Sequence, residues 1–311
     1  VCSSDLHNIS VSVGNDKTQL LVTFSHRNQN GILAHHGLLK NSARIKLSTK
    51  LYEHIKMDAN VMYAHTNTDG GGAYGGMKYI LMQPIHGGTL YTLDELFNTQ
   101  TYKDLREREN AFDTPNPNIQ LEASQSNKKH KLLTLNAGVD IDFLKHFTYR
   151  ISGSHTTSNT KSTSFADENS TAYLTDPVNT GINGSIGKSE SAKWQLTNTL
   201  SYDNTLAEKH KVGILVGHEI SHSESSSTSM TLNKFPYPNL FGLDNISSAS
   251  VSDKSSGHST SGIVSAFGRV NYSFAERYLL TATLRADGSS KFAKDNRWGI
   301  FPSAAVAWRV S

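Results

Sequence analysis

The strongest pattern in the chain is an alternation of apolar and polar residues with a period of two. It is clearest between Ile263 and Val310, in the runs GIVSAFGRVNYSF, RYLLTATLRADGS and WGIFPSAAVAWRV. In each run the apolar side chains fall on one side and the polar side chains on the other, as in the second, where Leu280, Ala282 and Leu284 alternate with Thr281, Thr283 and Arg285. This period predicts β-strands with two unlike faces.

Eight similar runs precede these three, so the sequence predicts eleven strands in all. They lie near residues 7–14, 18–28, 43–52, 55–66, 132–143, 147–155, 194–202 and 212–220. The connections alternate between short turns, near residues 15, 53, 145, 207 and 275, and long loops, near residues 28–40, 67–130, 156–189, 221–260 and 288–296. Because successive connections of antiparallel neighbours lie at opposite ends of a sheet, one end is expected to carry only turns and the other only loops.

This asymmetry predicts an antiparallel transmembrane β-barrel, with periplasmic turns and extracellular loops. Runs of about ten residues suit a tilted membrane strand, whereas sandwich strands usually have about five or six. Aromatic residues next to the short turns are expected to form an interfacial girdle, although Tyr and Phe also favour strands in general. They are Tyr52, Phe143, Phe147, Tyr202, Phe274 and Tyr278.

Composition fits the same prediction and excludes several classes of protein. Only 36% of the residues are hydrophobic, which is expected if half of every strand faces water. The net charge is +3 with no long run of one sign, so a nucleic-acid partner is not expected. The single cysteine, Cys2, excludes an internal disulfide and a cysteine-based zinc site.

The two ends of the sequence suggest a piece of a longer protein. It has no initiating Met, no signal peptide and no apolar run of about eighteen residues, and it stops at Ser311 as a strand is finishing. Residues 1–6, VCSSDL, fit no alternation, so they are interpreted as an unaligned leader and a candidate for non-native sequence. The partial barrel is therefore expected to comprise residues 7–311.

The C-terminal segment FGRVNYSFAERYLLTATLRADGSSKFAKDNRWGIFPSAAVAWRVS closely resembles the barrel of SusC/RagA-family TonB-dependent outer-membrane transporters. In that family a GRVNY strand, a YLL.A.LR.DGSS.F strand and a NRWG.FPS...AWR strand follow one another. The matching residues here are 268–272, 278–292 and 296–309, and a weaker match lies at residues 7–18.

The resemblance implies a plugged barrel of about twenty-two strands, of which this chain would supply about half. It also implies energy from the TonB system, acting through an N-terminal part that this chain lacks. The implied partners are outer-membrane lipid, a SusD-like surface lipoprotein and a glycan or peptide substrate. The implied location is the outer membrane of a Gram-negative, Bacteroidota-like cell.

Motifs for chemistry are weak, and neither an enzyme nor a cofactor is expected. His218, Glu219 and His222 are close in sequence, but solvated histidines are the better interpretation, and no metal site is predicted. The glycine-rich run DGGGAYGG lacks the Lys-Ser/Thr of a phosphate-binding loop. Nucleophile elbows, HExxH motifs and paired catalytic carboxylates are also missing from the sequence.

Two groups of residues are candidates for binding. The first group is expected to face the lumen or the plug, where plug contact is favoured over an anionic path, and consists of Arg269, Arg285, Arg309, Asp140 and Asp142. The second group is aromatic, lies in the extracellular loops, and could stack on sugars, contact a partner or stabilise the loops themselves. Its members are Tyr74, Tyr79, Tyr91, Phe235, Tyr237 and Phe241.

Three hypotheses follow from the sequence. The leading one is TonB-dependent uptake of large nutrients as part of a SusC/SusD-like complex. The alternative is a soluble surface β-sandwich or solenoid, acting as a carbohydrate-binding or adhesion module, with its apolar faces buried against a second layer. A passive porin, the third, would conduct without a plug.

Overall fold

The described residues form one antiparallel sheet in which each strand pairs with the next one in sequence. The computed structural model describes residues 3–33, 35–70, 121–170, 172–173, 176–236 and 242–310. The strands are β1 (Ser3–Gly14), β2 (Thr18–Asn30), β3 (Gly37–Tyr52), β4 (Ile55–Gly70), β5 (Ser124–Phe143), β6 (Phe147–Ala166), β7 (Asn183–Leu206), β8 (His210–Asn233), β9 (Ser250–Phe274), β10 (Tyr278–Ser289) and β11 (Trp298–Trp308). The all-β, eleven-stranded prediction is confirmed.

One face of the sheet, here called the apolar face, presents its large side chains to the outside of the molecule. Val264, Leu284 and Val306, one on each of the last three strands, are 39%, 55% and 79% exposed. Within the described ranges no second layer covers this face between the short turns and the upper parts of the strands. The soluble-sandwich hypothesis, which requires these side chains to be buried, is therefore wrong. The opposite side is called the polar face.

The two ends of the sheet differ as the sequence predicts. Residues 15–17, 53–54, 144–146, 207–209 and 275–277 form the connections at one end, each only two or three residues long. The connections at the other end are residues 31–36, 71–123, 167–182, 234–249 and 290–297. Strict alternation between turn and loop places all short connections on one side of the membrane-spanning band.

The three longest loops begin later and end earlier than predicted, because the strands extend beyond the alternating segments. The loops predicted at 156–189 and 221–260 are reduced to residues 167–182 and 234–249. The loop predicted at 67–130 likewise loses Asn67–Gly70 to β4 and its last seven residues to β5. These extensions are rich in Ser, Thr, Asn and Lys, because both of their faces meet water. Backbone pairing continues there without the apolar alternation that identifies a strand from sequence.

The beginning of the chain is also part of the sheet. Ser3, Ser4, Asp5 and Leu6 pair with Asn30, Gln29, Asn28 and Arg27 on β2. Strand β1 therefore begins at Ser3, four residues before the start of the barrel that the alternation predicts. Their polar character again reflects a strand end beyond the apolar band.

Aromatic rings form a nearly continuous row on the apolar face beside the short turns. The ring centroids of Phe143 and Phe147 are 5.6 Å apart, and those of Phe147 and Tyr202 are 4.9 Å apart. Further along, Phe274, Tyr278 and Trp308 follow at intervals of 6.3 Å. Amphipathic rings at one level are typical of a membrane interface, so the row marks the lower edge of the apolar band.

The loop end has a small apolar core of its own. Ile182, Leu232 and Phe235 are buried there, and Phe165 and Ile186 pack against them. Two 3₁₀ helices, Gly242–Ser248 and Lys294–Asn296, also lie at this end. No helix within the described ranges is long and apolar enough to cross a membrane.

Candidate functional site

The polar face of the sheet carries four of the five predicted lumen residues. Asp140 and Asp142 lie on β5, Arg269 lies on β9 and Arg285 lies on β10, all opposite the exposed apolar side chains. Arg309 follows the end of β11, and its backbone N–H donates to the Arg277 carbonyl at 2.8 Å. It therefore lies at the short-turn end rather than in the middle of the wall.

Arg150, Asp140 and Asp58, on three adjacent strands, form a hydrogen-bonded group called the Arg150 cluster. Nη1 of Arg150 donates to both carboxylate oxygens of Asp140 at 2.8 and 2.7 Å, and Nη2 donates to Asp58 at 2.8 Å. Such charge-assisted bonds to two carboxylates hold the guanidinium in one orientation. With one positive and two negative groups, the cluster has a formal charge of −1.

Gly138 makes this arrangement possible, because the guanidinium of Arg150 lies over its Cα. A Cβ at position 138 would lie 2.6 Å from Nη2 of Arg150 and 3.0 Å from the Asp58 carboxylate. Asp140 was predicted from sequence, whereas Arg150, Asp58 and Gly138 were missed. The sequence signal that could have identified Arg150 is the predicted hairpin, because its turn at residues 144–146 places Arg150 directly opposite Asp140.

A second group, the Arg285 cluster, joins β8, β9 and β10. Arg285 donates to Asp287 at 2.7 Å, to Glu219 at 3.1 Å and to the Ser265 hydroxyl at 2.9 Å. Ser265 is fully buried beneath these groups. This cluster also combines one guanidinium with two carboxylates, so its formal charge is −1.

Neighbouring side chains extend the Arg285 cluster into a network. Glu219 accepts hydrogen bonds from Gln195 at 2.8 Å and from Thr197 at 3.2 Å, both on β7. The Arg285 guanidinium lies 5.3 Å from the centroid of the Phe267 ring, which itself lies over Gly217. The four strands β7 to β10 thus contribute to one network of polar groups, in which the guanidinium lies over the Phe267 ring.

The remaining predicted charges are less constrained. Asp142 accepts a hydrogen bond from Thr148 at 2.7 Å and lies 3.9 Å from the Lys56 ammonium. Arg269 is exposed and makes no ion pair with any residue that the structure describes. In the turn between β9 and β10, a hydrogen bond from Lys211 lowers the pKa of Glu276 below its ordinary value.

The loop aromatics are described only in part. Tyr74, Tyr79, Tyr91, Tyr237 and Phe241 lie outside the described residues. Phe235 is 4% exposed and packs edge-on against Phe165, with ring centroids 5.7 Å apart. In this conformation its ring is not available to stack on a ligand and packs within the loop core, which corresponds to the last of the three roles considered for it.

The described part of the chain groups no three His, Cys, Asp or Glu side chains as metal ligands. His218 and His222 lie on the apolar face, whereas Glu219 lies between them on the polar face and binds Arg285. A strand cannot bring these three side chains to one ion. The polar face offers hydrogen-bonding groups in fixed positions.

Comparison with known proteins identifies the family. The family model for the TonB dependent receptor-like β-barrel matches residues 58–311. The chain is 26% identical over 332 residues to the TonB-dependent receptor SusC of Bacteroides thetaiotaomicron, covering 98% of this chain and 31% of SusC. It is 25% identical over 312 residues to the TonB-dependent receptor P26 of Formosa agariphila, covering 97% of this chain and 30% of P26.

The fold comparison agrees with the sequence comparison. The structure of the RagAB peptide transporter matches with a TM-score of 0.73 at 19% identity, covering 97% of this chain and 33% of that one. At this identity the match shows the fold alone. The chain spans about a third of the length of these relatives. The chain belongs to the TonB dependent receptor-like β-barrel family of outer-membrane proteins.

Proposed function

We propose that this chain forms part of the wall of a plugged outer-membrane transporter that takes up large nutrients, glycans or peptides, with energy from the TonB system. The observation that carries the proposal is the difference between the two faces of the sheet. The apolar face is bare at the level of the lipid, while the polar face holds two ordered ionic clusters with unused carboxylate oxygens. A wall of this kind suits a lumen that contacts a second, polar body.

The clusters support a plug-contacting role for the polar face. Each of the two has a formal charge of −1 and is held in place by bonds across three strands. Fixed carboxylates lose little conformational entropy when a partner binds, so they suit repeated docking and release of a basic or amide-rich surface. Arg269, which is exposed on the same face, supplies a site of opposite charge. We assign Asp140, Asp142, Arg269 and Arg285 to this contact.

The long-loop end is the proposed site of a SusD-like lipoprotein. Its small apolar core packs Ile182 and Phe235 against Leu232 at the end of β8, which gives a lid a defined surface to meet. The organism is proposed to be Bacteroidota-like, because SusC and P26 come from Bacteroides thetaiotaomicron and Formosa agariphila.

Uptake by cells that carry the full-length receptor tests the proposal. Fluorescent oligosaccharide and peptide mixtures would be supplied to wild-type cells, to cells without the receptor and to cells without TonB. We expect one of the two mixtures to accumulate only when receptor and TonB are both present. Accumulation that survives loss of TonB would instead support a passive porin, and no receptor-dependent uptake of either mixture would overturn the proposal.

A further inference from the structure

Three lysines form a row across adjacent strands on the same side of the sheet as the apolar face, here called the outward side. Lys129 on β5 is directly opposite Lys161 on β6, and Lys161 is directly opposite Lys188 on β7. Lys131 lies two residues from Lys129 on the same side of β5, next to this row. We call these four residues the lysine row. All four side chains are exposed.

The row lies just above the apolar band. On β5 the outward residues Phe143, Ile141, Val139, Ala137, Leu135 and Leu133 are all apolar, and Lys131 is the next outward position. At about 3.3 Å per residue and a tilt of about 40°, the ten residues from Phe143 to Leu133 rise about 25 Å, the height of a transmembrane apolar band. Lys131 therefore lies about 5 Å beyond it and Lys129 about 10 Å beyond it.

The same spacing holds on the neighbouring strands. Lys161 and Lys188 are each fourteen residues along the strand from the aromatic residues Phe147 and Tyr202, as Lys129 is from Phe143. The loop core, with Phe165 and Ile186, closes the outward side above them. The lysine row thus occupies the level between the acyl chains and the extracellular loops, which is the headgroup level of the outer leaflet.

The positive charges of the row are largely uncompensated. Lys188 forms an ion pair with Glu190 at 2.7 Å, but Lys129, Lys131 and Lys161 have no carboxylate of a described residue within ion-pair distance. Like charges directly opposite one another on neighbouring strands destabilise a sheet. An anion bound between them would remove this repulsion, and lysine is a common phosphate-binding residue.

We propose that the lysine row binds the phosphate groups of an outer-leaflet glycolipid. The apolar band below holds the acyl chains of the same molecule, so one lipid can use both surfaces. Anionic lipid surfaces attract neighbouring Lys side chains by about 1 kcal/mol each, and the flexible side chains reach several ångströms along the membrane normal. This contact is separate from the transport path, because it lies on the opposite side of the sheet.

Native mass spectrometry of the full-length receptor in mild detergent tests the proposal, with lipid A as the probe. The test variant is Lys129→Gln/Lys131→Gln/Lys161→Gln/Lys188→Gln. We expect lipid A to bind the wild type and to bind this variant about tenfold or more weakly, since the loss of about 1.4 kcal/mol corresponds to tenfold. The matched control, Lys40→Gln/Lys46→Gln/Lys50→Gln/Lys193→Gln, removes the same charge from the polar face and is expected to bind like the wild type.

Two further measurements identify the ligand chemistry and the folding state. Dephosphorylated lipid A is expected to bind the wild type as weakly as lipid A binds the test variant, and inorganic phosphate is expected not to displace lipid A. Equal binding of both lipids, displacement by inorganic phosphate, or an equal loss in the control variant would each overturn the proposal. Gel mobility before and after heating confirms that each variant is folded.

Discussion

At the scale of single residues, two glycines organise the polar face. Gly138 leaves space for the Arg150 guanidinium, and Gly217 leaves space for the Phe267 ring that lies beneath Arg285. In both places a large side chain lies across the backbone of the neighbouring strand instead of pointing away from the sheet. The absence of a Cβ at these positions therefore decides how the charged groups are held.

Gly217→Ala is expected to destabilise the receptor by about 1–3 kcal/mol, because the new methyl group would overlap the Phe267 ring and force it away. Gly268→Ala, on β9, is the control, since its Cβ would have no atom nearer than 3.8 Å. The temperature at which the folded receptor loses its compact gel mobility measures both effects. An equal change in the two variants would contradict this account.

Arg150→Gln is expected to lower stability by about 1–2 kcal/mol at pH 7, because it leaves Asp58 and Asp140 without their partner. Adding Asp58→Asn and Asp140→Asn should restore most of the stability at pH 7. Unfolding temperatures at pH 7 provide the test, and a triple variant no more stable than Arg150→Gln would show that repulsion between the two carboxylates is not the cause.

At the scale of elements, three of the short turns share one backbone conformation. Leu144-Lys145, Ala207-Glu208 and Ala275-Glu276 each have two consecutive residues with positive φ, between 46° and 60°. None of these residues is glycine or asparagine, the types that adopt this region at low cost. The turns are therefore held by the pairing of the long strands on either side, rather than by their own sequence.

Ala207→Asn/Glu208→Gly is expected to raise stability by about 1–2 kcal/mol, because Asn-Gly suits two consecutive left-handed residues. The same change at Glu53-His54, where neither residue has a positive φ, should give no such gain. Unfolding temperatures of the two variants make the comparison. A similar gain at both turns would show that backbone conformation is not responsible.

At the scale of the whole molecule, the sheet is open. Among the residues that the structure describes, β1 pairs only with β2 and β11 pairs only with β10, so each leaves one row of backbone groups without a described partner. Lipid cannot satisfy such groups, and unpaired edges favour association with other strands. The apolar face also favours association of the isolated chain, because its side chains are exposed unless acyl chains cover them.

The isolated chain is therefore expected to aggregate or to pair edge to edge rather than to insert as a monomeric barrel. In the full-length receptor, the amides of β11 should exchange with deuterium slowly, because a further strand pairs with them. Size-exclusion chromatography of the isolated chain in detergent and hydrogen exchange of the receptor measure the two outcomes. A stable monomer with protected β11 amides in the isolated chain would contradict this expectation.

The sequence by itself determined the class of fold. A period-two alternation depends only on which residues meet lipid and which meet water, so the eleven strands, their two faces and the order of turns and loops followed from local pattern. Val264, Leu284 and Val306 are exposed on one face as that pattern requires. The resemblance of residues 268–309 to a known family was also available from the sequence alone, because it rests on consecutive residues of one short segment.

Only the tertiary structure decided where the strands end and which charges meet. Beyond the apolar band both faces are wet, so residues such as 156–166 and 183–189 lose the alternation while their backbones stay paired. Glu219, Arg285 and Gln195 are far apart in sequence, and register across four strands brings them together. The lysine row is invisible in the sequence for the same reason: its like charges become neighbours only when β5, β6 and β7 are aligned.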